Sequence, residues 1–279
     1  PDDWEVWTEG SISFGKIGES SLSSKQDLDS LGITVGADTK MDDDRILGVA
    51  LRVGSTDVDV GTFGSAVDTN ALSLSVYGIN SLVNPNYLKH VFGVSYLDSD
   101  IVRKDEKKPK NTGERKGKQV FGSLDFGREY EDGDLTVTPI GRIDGSYTML
   151  NSYTEDGEAA LSYNYQDIIS LMASLGVLID EDVSLKNLTI KRRFNLEYGK
   201  EFALNSKVVT SYVSDIEDFE YQADNKNKNI YTAGLGFDFK HDQGLTISTD
   251  YERQQIKGHG SINKFTLSTG FLYRKETEL

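Results

Sequence analysis

Between residues 229 and 273 the chain alternates apolar and polar side chains three times in succession, and few folds accept that pattern. Tyr231, Ala233, Leu235, Phe237 and Phe239 share one face of an extended segment, opposite Thr232, Gly234, Gly236, Asp238 and Lys240. Leu245, Ile247, Thr249 and Tyr251 repeat the pattern against Thr246, Ser248, Asp250 and Glu252. Phe265, Leu267, Thr269, Phe271 and Tyr273 do so again, against Thr266, Ser268, Gly270 and Leu272. A period of two belongs to a β-strand, whose successive side chains point to opposite faces; an amphipathic helix repeats every 3.6 residues. Residues 241–244 and 257–260 are short enough to join antiparallel neighbours, so the chain ends in a β-meander.

The same alternation runs upstream, in segments near 4–14, 28–38, 45–55, 69–79, 87–97, 118–130, 135–146, 167–179 and 189–202. With the closing three, the count is about twelve strands, an even number that allows an antiparallel sheet to close on itself. Connections after the even strands are short, and most of those after the odd strands are long, so one rim of such a barrel is tight and the other elaborate. The most polar connection, 98–117, holds Arg103, Lys104, Lys107, Lys108, Lys110, Arg115 and Lys116 and reads as a solvated, mobile loop. Pro139 falls in mid-strand, where its missing N–H predicts a bulge or a local break in pairing. No linker or change of pattern divides residues 1–279, which read as one domain.

Composition removes several function classes. A formal charge of −15 without a basic stripe argues against nucleic-acid binding. No cysteine is present, and His90, His241 and His259 stand far apart, so neither a thiolate nor a histidine metal site is available. The acidic run Asp42, Asp43 and Asp44 is a solvated turn in its plainest reading. No nucleophile elbow accompanies the serines, and the reading is of a non-enzyme without cofactor or metal. The longest apolar stretch, 171–179, falls short of the roughly 20 residues a membrane helix needs, whereas β-strands cross with roughly 9 to 11.

A soluble sandwich alternates too, but turns its apolar faces inward. Here the polar faces mix glycine with charges of both signs, as a hydrated barrel interior requires. Aromatics stand near strand ends, where the girdles of a membrane barrel lie: Trp4, Trp7, Tyr87, Phe126, Phe239 and Tyr273.

Short words along the chain carry a family resemblance. They are the opening strand around Trp7, LGITVGADTK at 31–40, RILGVALRV at 45–53, TPIGRI at 138–143, EDGEAAL at 155–161 and SLGV at 174–177. The closing strands YTAGLGFDF and FTLSTGFLY complete the series. In this order and spacing the chain resembles the translocator, or β-domain, of the monomeric autotransporters of Gram-negative bacteria, over nearly its whole length. The resemblance implies an all-β transmembrane antiparallel barrel in the bacterial outer membrane, with short periplasmic turns and longer extracellular loops. It further implies type V secretion, in which an N-terminal passenger crosses the membrane with the help of the barrel and the cell's barrel-assembly machinery. The family usually places a linker helix before the first strand, so passenger and linker are expected to lie outside this chain. Its insertion signal normally finishes at an aromatic residue, while here the last alternating run continues through Arg274 to Leu279.

Within that barrel, Asp38, Arg142, Asp144, Arg193, Glu197, Asp238 and Glu252 are expected to face the lumen, where they would meet the linker or pair with one another. Leu235, Phe237, Phe239, Ile247, Leu267, Phe271 and Tyr273 are expected to face lipid. The partners are then outer-membrane lipid, the passenger and linker in cis, and the assembly machinery; a self-closed barrel needs no second copy and is expected to be a monomer. An adhesin-like barrel acting through its external loops, or a porin-like passive pore, is the alternative. Passenger identity and any cleavage are not written in these residues.

Overall fold

The computed structural model describes residues 3–20, 23–202, 206–214, 218–222 and 228–274, without the side chains of Asp3, Tyr221, Gln222, Tyr273 and Arg274. The regular elements among them are strands: β1 (Asp3–Ile17), β2 (Gln26–Asp42), β3 (Arg45–Val60), β4 (Ser65–Ser81), β5 (Asn86–Arg103), β6 (Asn111–Arg128), β7 (Tyr130–Asp132), β8 (Leu135–Leu150), β9 (Tyr153–Thr154), β10 (Leu161–Tyr163), β11 (Gln166–Leu185), β12 (Leu188–Glu201), β13 (Lys207–Tyr212), β14 (Asp218–Gln222), β15 (Asn229–His241), β16 (Leu245–Ile256) and β17 (Gly260–Arg274). Each long strand pairs antiparallel with its neighbours in the order β11, β12, β15, β16, β17, β1, β2, β3, β4, β5, β6, β8, and β8 returns to β11. The result is a closed ring of twelve strands. Its seam joins the first strand to the last, from Asp3 opposite Arg274 to Ile17 opposite Gly260.

The wall is inside out with respect to a soluble protein. Among the described residues the buried hydrophobic side chains are Ala50, Tyr87, Ile140 and Ile256, while serines, threonines, Arg115, Asp125 and Glu155 are buried. Leu31 and Ile33 on β2 are 57% and 59% exposed, and Val53, Leu74, Phe92, Val94 and Ile143 continue the same apolar belt around the outside. Alternation settles which side chain goes where, and only an apolar surrounding makes this choice favourable. A soluble sandwich is excluded on this point.

Pro139 breaks pairing without changing register. Gly127 pairs Ile140 and Tyr130 pairs Val137, so the same alignment continues on both sides of a gap at Arg128 and Glu129. Pro139 has no N–H to offer across that gap. The Glu129 N–H donates instead to the Pro85 carbonyl in the turn before β5, at 3.0 Å.

The strands are longer than alternation alone suggests, and they overrun the connections on the elaborate rim. The polar insertion 98–117 is mostly not a loop: Asp98 pairs Lys116, Ser99 pairs Arg115, and pairing extends to Arg103 opposite Asn111. Polar strand residues beyond the apolar belt no longer alternate in hydropathy, which is why the sequence hides them. At the tight rim the acidic turn satisfies itself. Asp42 accepts the Asp44 N–H at 3.0 Å and Arg45 Nε at 2.7 Å, and the bond from Arg45 holds its carboxyl below the usual value.

The overrun brings like charges into register. Asp29 lies opposite Asp57, Asp57 opposite Asp68, Asp68 opposite Asp100, and Asp100 opposite Glu114, a row of exposed carboxylates across β2 to β6. Directly opposed like charges destabilise a sheet, and hydrocarbon would not admit them, so the strands have left the apolar zone at this height. Asp68→Asn should stabilise the detergent-folded barrel by about 0.2–1 kcal/mol at low salt. The gain in thermal midpoint, followed by circular dichroism, should shrink in 1 M NaCl as screening removes the repulsion.

Candidate functional site

The inner face of the ring collects charged side chains that reach past their nearest neighbours. Arg142 on β8 binds Asp125 on the adjacent β6 at 3.0 Å and Glu197 on β12 at 3.2 Å, the latter across the whole of β11. That crossing needs an empty position on β11. Gly176 provides it, since a Cβ there would stand 2.6 Å from Glu197 Cγ. Arg193 on β12 likewise meets Asp238 on β15 and Asp250 on β16, both at 2.8 Å, passing over Gly236. Two further contacts cross a glycine in the same way. Arg52 passes over Gly32 to donate to Ser11 Oγ at 2.9 Å. Tyr77 passes over Gly48 to donate to Asp38 at 2.6 Å while accepting Trp7 Nε1 at 2.6 Å.

The sequence-derived residues are thus partly brought together. Arg142 and Glu197 form one cluster, Arg193 and Asp238 another, and Asp38 belongs to a third with Trp7 and Tyr77. Asp144 stands two residues beyond Arg142 on the same face of β8. Glu252 accepts Gln254 Nε2 at 3.0 Å and lies in register with Lys264. A cavity of about 380 Å³ is lined by Glu9, Arg142, Asp180, Arg193, Glu252 and Lys264 among others, from strands on several sides of the ring. Asp125, Asp250 and Tyr77 were not singled out from the sequence. Asp125 and Asp250 carried a signal, the polar parity of their strands; the strand-skipping contacts had none, because they depend on register. Trp7 and Tyr87 are corrections to the aromatic girdle. Trp7 lies on the face opposite Trp4, bonded to Tyr77, and Tyr87 is buried.

On the outside, Leu235, Phe237, Phe239, Ile247, Leu267 and Phe271 are between 37% and 57% exposed. The Tyr273 side chain lies outside the described residues, as do residues 275–279. Among the described residues no three His, Asp or Glu side chains are grouped as a metal site would need.

The elaborate rim carries a second, four-stranded sheet in the order β14, β13, β10, β9. It is fastened by Glu155, whose side chain is 1% exposed: Arg103 donates to it at 2.7 Å and the Leu161 N–H at 3.0 Å. Arg103 also donates to the Ala159 carbonyl at 2.6 Å, and its bond to Glu155 raises the guanidinium pKa further. Arg115 adds bonds to the Asn151 and Asn164 carbonyls and to Gln166 Oε1. Segments 151–165, 206–214 and 218–222 are therefore one folded body rather than free loops. Glu155→Ala takes the carboxylate from the partly exposed Arg103 and the acceptor from the Leu161 N–H, a loss of about 1–3 kcal/mol. The expected result is rapid protease cleavage within 151–165 while the heat-resistant gel mobility of the barrel is kept.

Comparison with known proteins places this geometry. The family model described as the autotransporter beta-domain matches residues 6–252. The translocator domain of the autotransporter NalP from Neisseria meningitidis superposes with a TM-score of 0.76 at 17% identity, covering 96% of this chain and 88% of that one. The beta domain of the Bordetella autotransporter Brka gives 0.72 at 15% identity, covering 98% and 100%. The chain is 23% identical over 261 residues to "Outer membrane protein B" of Rickettsia prowazekii, and the match takes in 86% of this chain but 15% of that protein.

Proposed function

Because the chain belongs to the autotransporter β-domain family, we propose that its barrel, a translocator domain of the outer membrane, supports secretion by offering an extended polypeptide a hydrated, charge-lined passage. The domain is a transport barrel and not an enzyme. The observation that carries the passage is the set of strand-skipping bridges at Arg142 and Arg193 around the inner cavity. Asp38, Arg142, Asp144, Arg193, Glu197, Asp238 and Glu252 line this lumen. Leu235, Phe237, Phe239, Ile247, Leu267 and Phe271 face lipid.

The physics of the passage follows from two requirements. A chain in transit brings unpaired backbone groups, which need water or polar side chains at every depth. The wall must supply polarity without gripping, and arginines already held between two carboxylates are poor competitors for a passing backbone. A passenger and linker N-terminal to β1, the assembly machinery that inserts the barrel, and a monomeric state complete the proposal. Once export ends, the linker would stay in the lumen, anchoring the passenger and closing the passage to ions.

Two measurements test it. A signal peptide, an epitope-bearing polypeptide and a linker placed ahead of β1 should bring the epitope to the surface of intact cells, as read by antibody labelling. Retention of the epitope in the periplasm, with the barrel correctly folded, counts against translocation. In planar bilayers, Arg142→Glu and Glu252→Lys should each change single-channel conductance or cation preference. If neither variant moves either quantity, the lumen assignment is wrong.

A further inference from the structure

The outward wall differs from one side of the ring to the other. Across β2 to β6 its external end carries the acidic row from Asp29 to Glu114, which repels anions. From β5 round to β16 the same face is hollowed. One depression of about 420 Å³ is lined by Leu196, Tyr198, Tyr231, Ala233 and Arg253. A second, of about 500 Å³, reaches from Leu88 on β5 and Phe126 on β6, past Gly141 and Ala173, to Tyr198 and Lys200 on β12. Tyr198 borders both. Small residues at 141, 173 and 233 leave the space that larger side chains fill elsewhere in the belt.

Each hollow has a cation. Lys200 lies near the external end of β12, its Nζ 5.5 Å from the Phe202 ring centroid. Arg253 lies near the external end of β16 and donates to Asn263 Oδ1 at 3.1 Å, Ser261 Oγ at 3.2 Å and Gln255 Oε1 at 3.4 Å, all neutral. Among the described residues neither cation meets a carboxylate at ion-pair distance, although the chain as a whole carries a charge of −15. Between them Tyr198 and Tyr231 pack at 5.4 Å, with the Tyr198 hydroxyl donating to Asn229 Oδ1. This is the arrangement of an interface, apolar below and polar above.

We propose that this side of the barrel holds an anionic, phosphorylated glycolipid of the outer leaflet. Its phosphates sit on Lys200 and Arg253, and its acyl chains lie in the two hollows that meet at Tyr198. The assignment rests on the outer-membrane placement of the barrel. Charge complementarity selects the headgroup, since a lipid phosphate gains attraction from each nearby Lys or Arg.

The test is native mass spectrometry of the whole folded chain, titrated with a diglucosamine lipid bearing two phosphates, or with the same lipid lacking them. The phosphorylated form should bind, and the Lys200→Gln/Arg253→Gln double variant should bind at least about tenfold more weakly. Ala233→Phe, which fills a hollow and keeps both charges, should weaken binding as well. Asp57→Asn/Asp68→Asn should leave it unchanged. Equal binding of the phosphate-free lipid, or undiminished binding by the double variant, overturns the proposal. Heat-modifiable migration in vesicles separates this outcome from failure of the membrane reading. A barrel that inserts but ignores the lipid refutes the lipid site alone, and one that never inserts refutes both.

Discussion

In hydrocarbon a backbone N–H or C=O has no partner but another backbone group, and each one left open costs several kcal/mol. The rest of this structure answers to that requirement. A flat sheet of these strands would leave two open edges, β1 and β17; pairing them with each other removes both. Closure in turn fixes an inside and an outside, and period-two alternation then sends every second side chain to lipid. Even the gap opposite Pro139 obeys the rule, because the freed Glu129 N–H finds the Pro85 carbonyl. Hydrophobic burial, the usual organiser of a protein core, here acts between the protein and its surroundings.

Much of this was legible in the sequence because lipid exposure writes a simple code. Leu31, Ile33 and Val35, or Leu235, Phe237 and Phe239, declare an apolar stripe, and the stripe declares strand, face and closure together. The code stops where the membrane stops. Asp57, Asp68 and Asp100 sit on strands as regular as the rest, yet nothing alternates around them once both faces meet water, so they read as loops. Glu155 stands within a family word, but its partner Arg103 belongs to a stretch whose dense charge reads as a solvated loop. Trp7 and Tyr87 misled for a different reason: an aromatic near a strand end belongs to a girdle only if its parity is outward. Contacts such as Arg142 with Glu197 were beyond reach, since they join strands that are not neighbours and exist only once register is set.

The glycines of the inner face explain how a wall one residue thick acquires depth. Side chains on adjacent strands meet as a matter of course, but Arg142 to Glu197 and Arg193 to Asp250 each bridge three strands. Such a bridge resists changes of register and of curvature that a pairwise ladder tolerates. Gly176 and Gly236 are therefore structural through their missing side chains, and the charges they let through are held in place from two directions.

The seam has a consequence in time. Asp3 finds Arg274, and Ile17 finds Gly260, only when almost the entire chain is present. Contacts this distant in sequence are slow to form, because loop closure must be met before pairing rewards it. No shorter length of the chain has a finished edge, so an early hairpin has nowhere comfortable to wait, neither in water with its apolar face bare nor in lipid with its backbone open. The wall is thus completed in one late event, when β17 reaches β1.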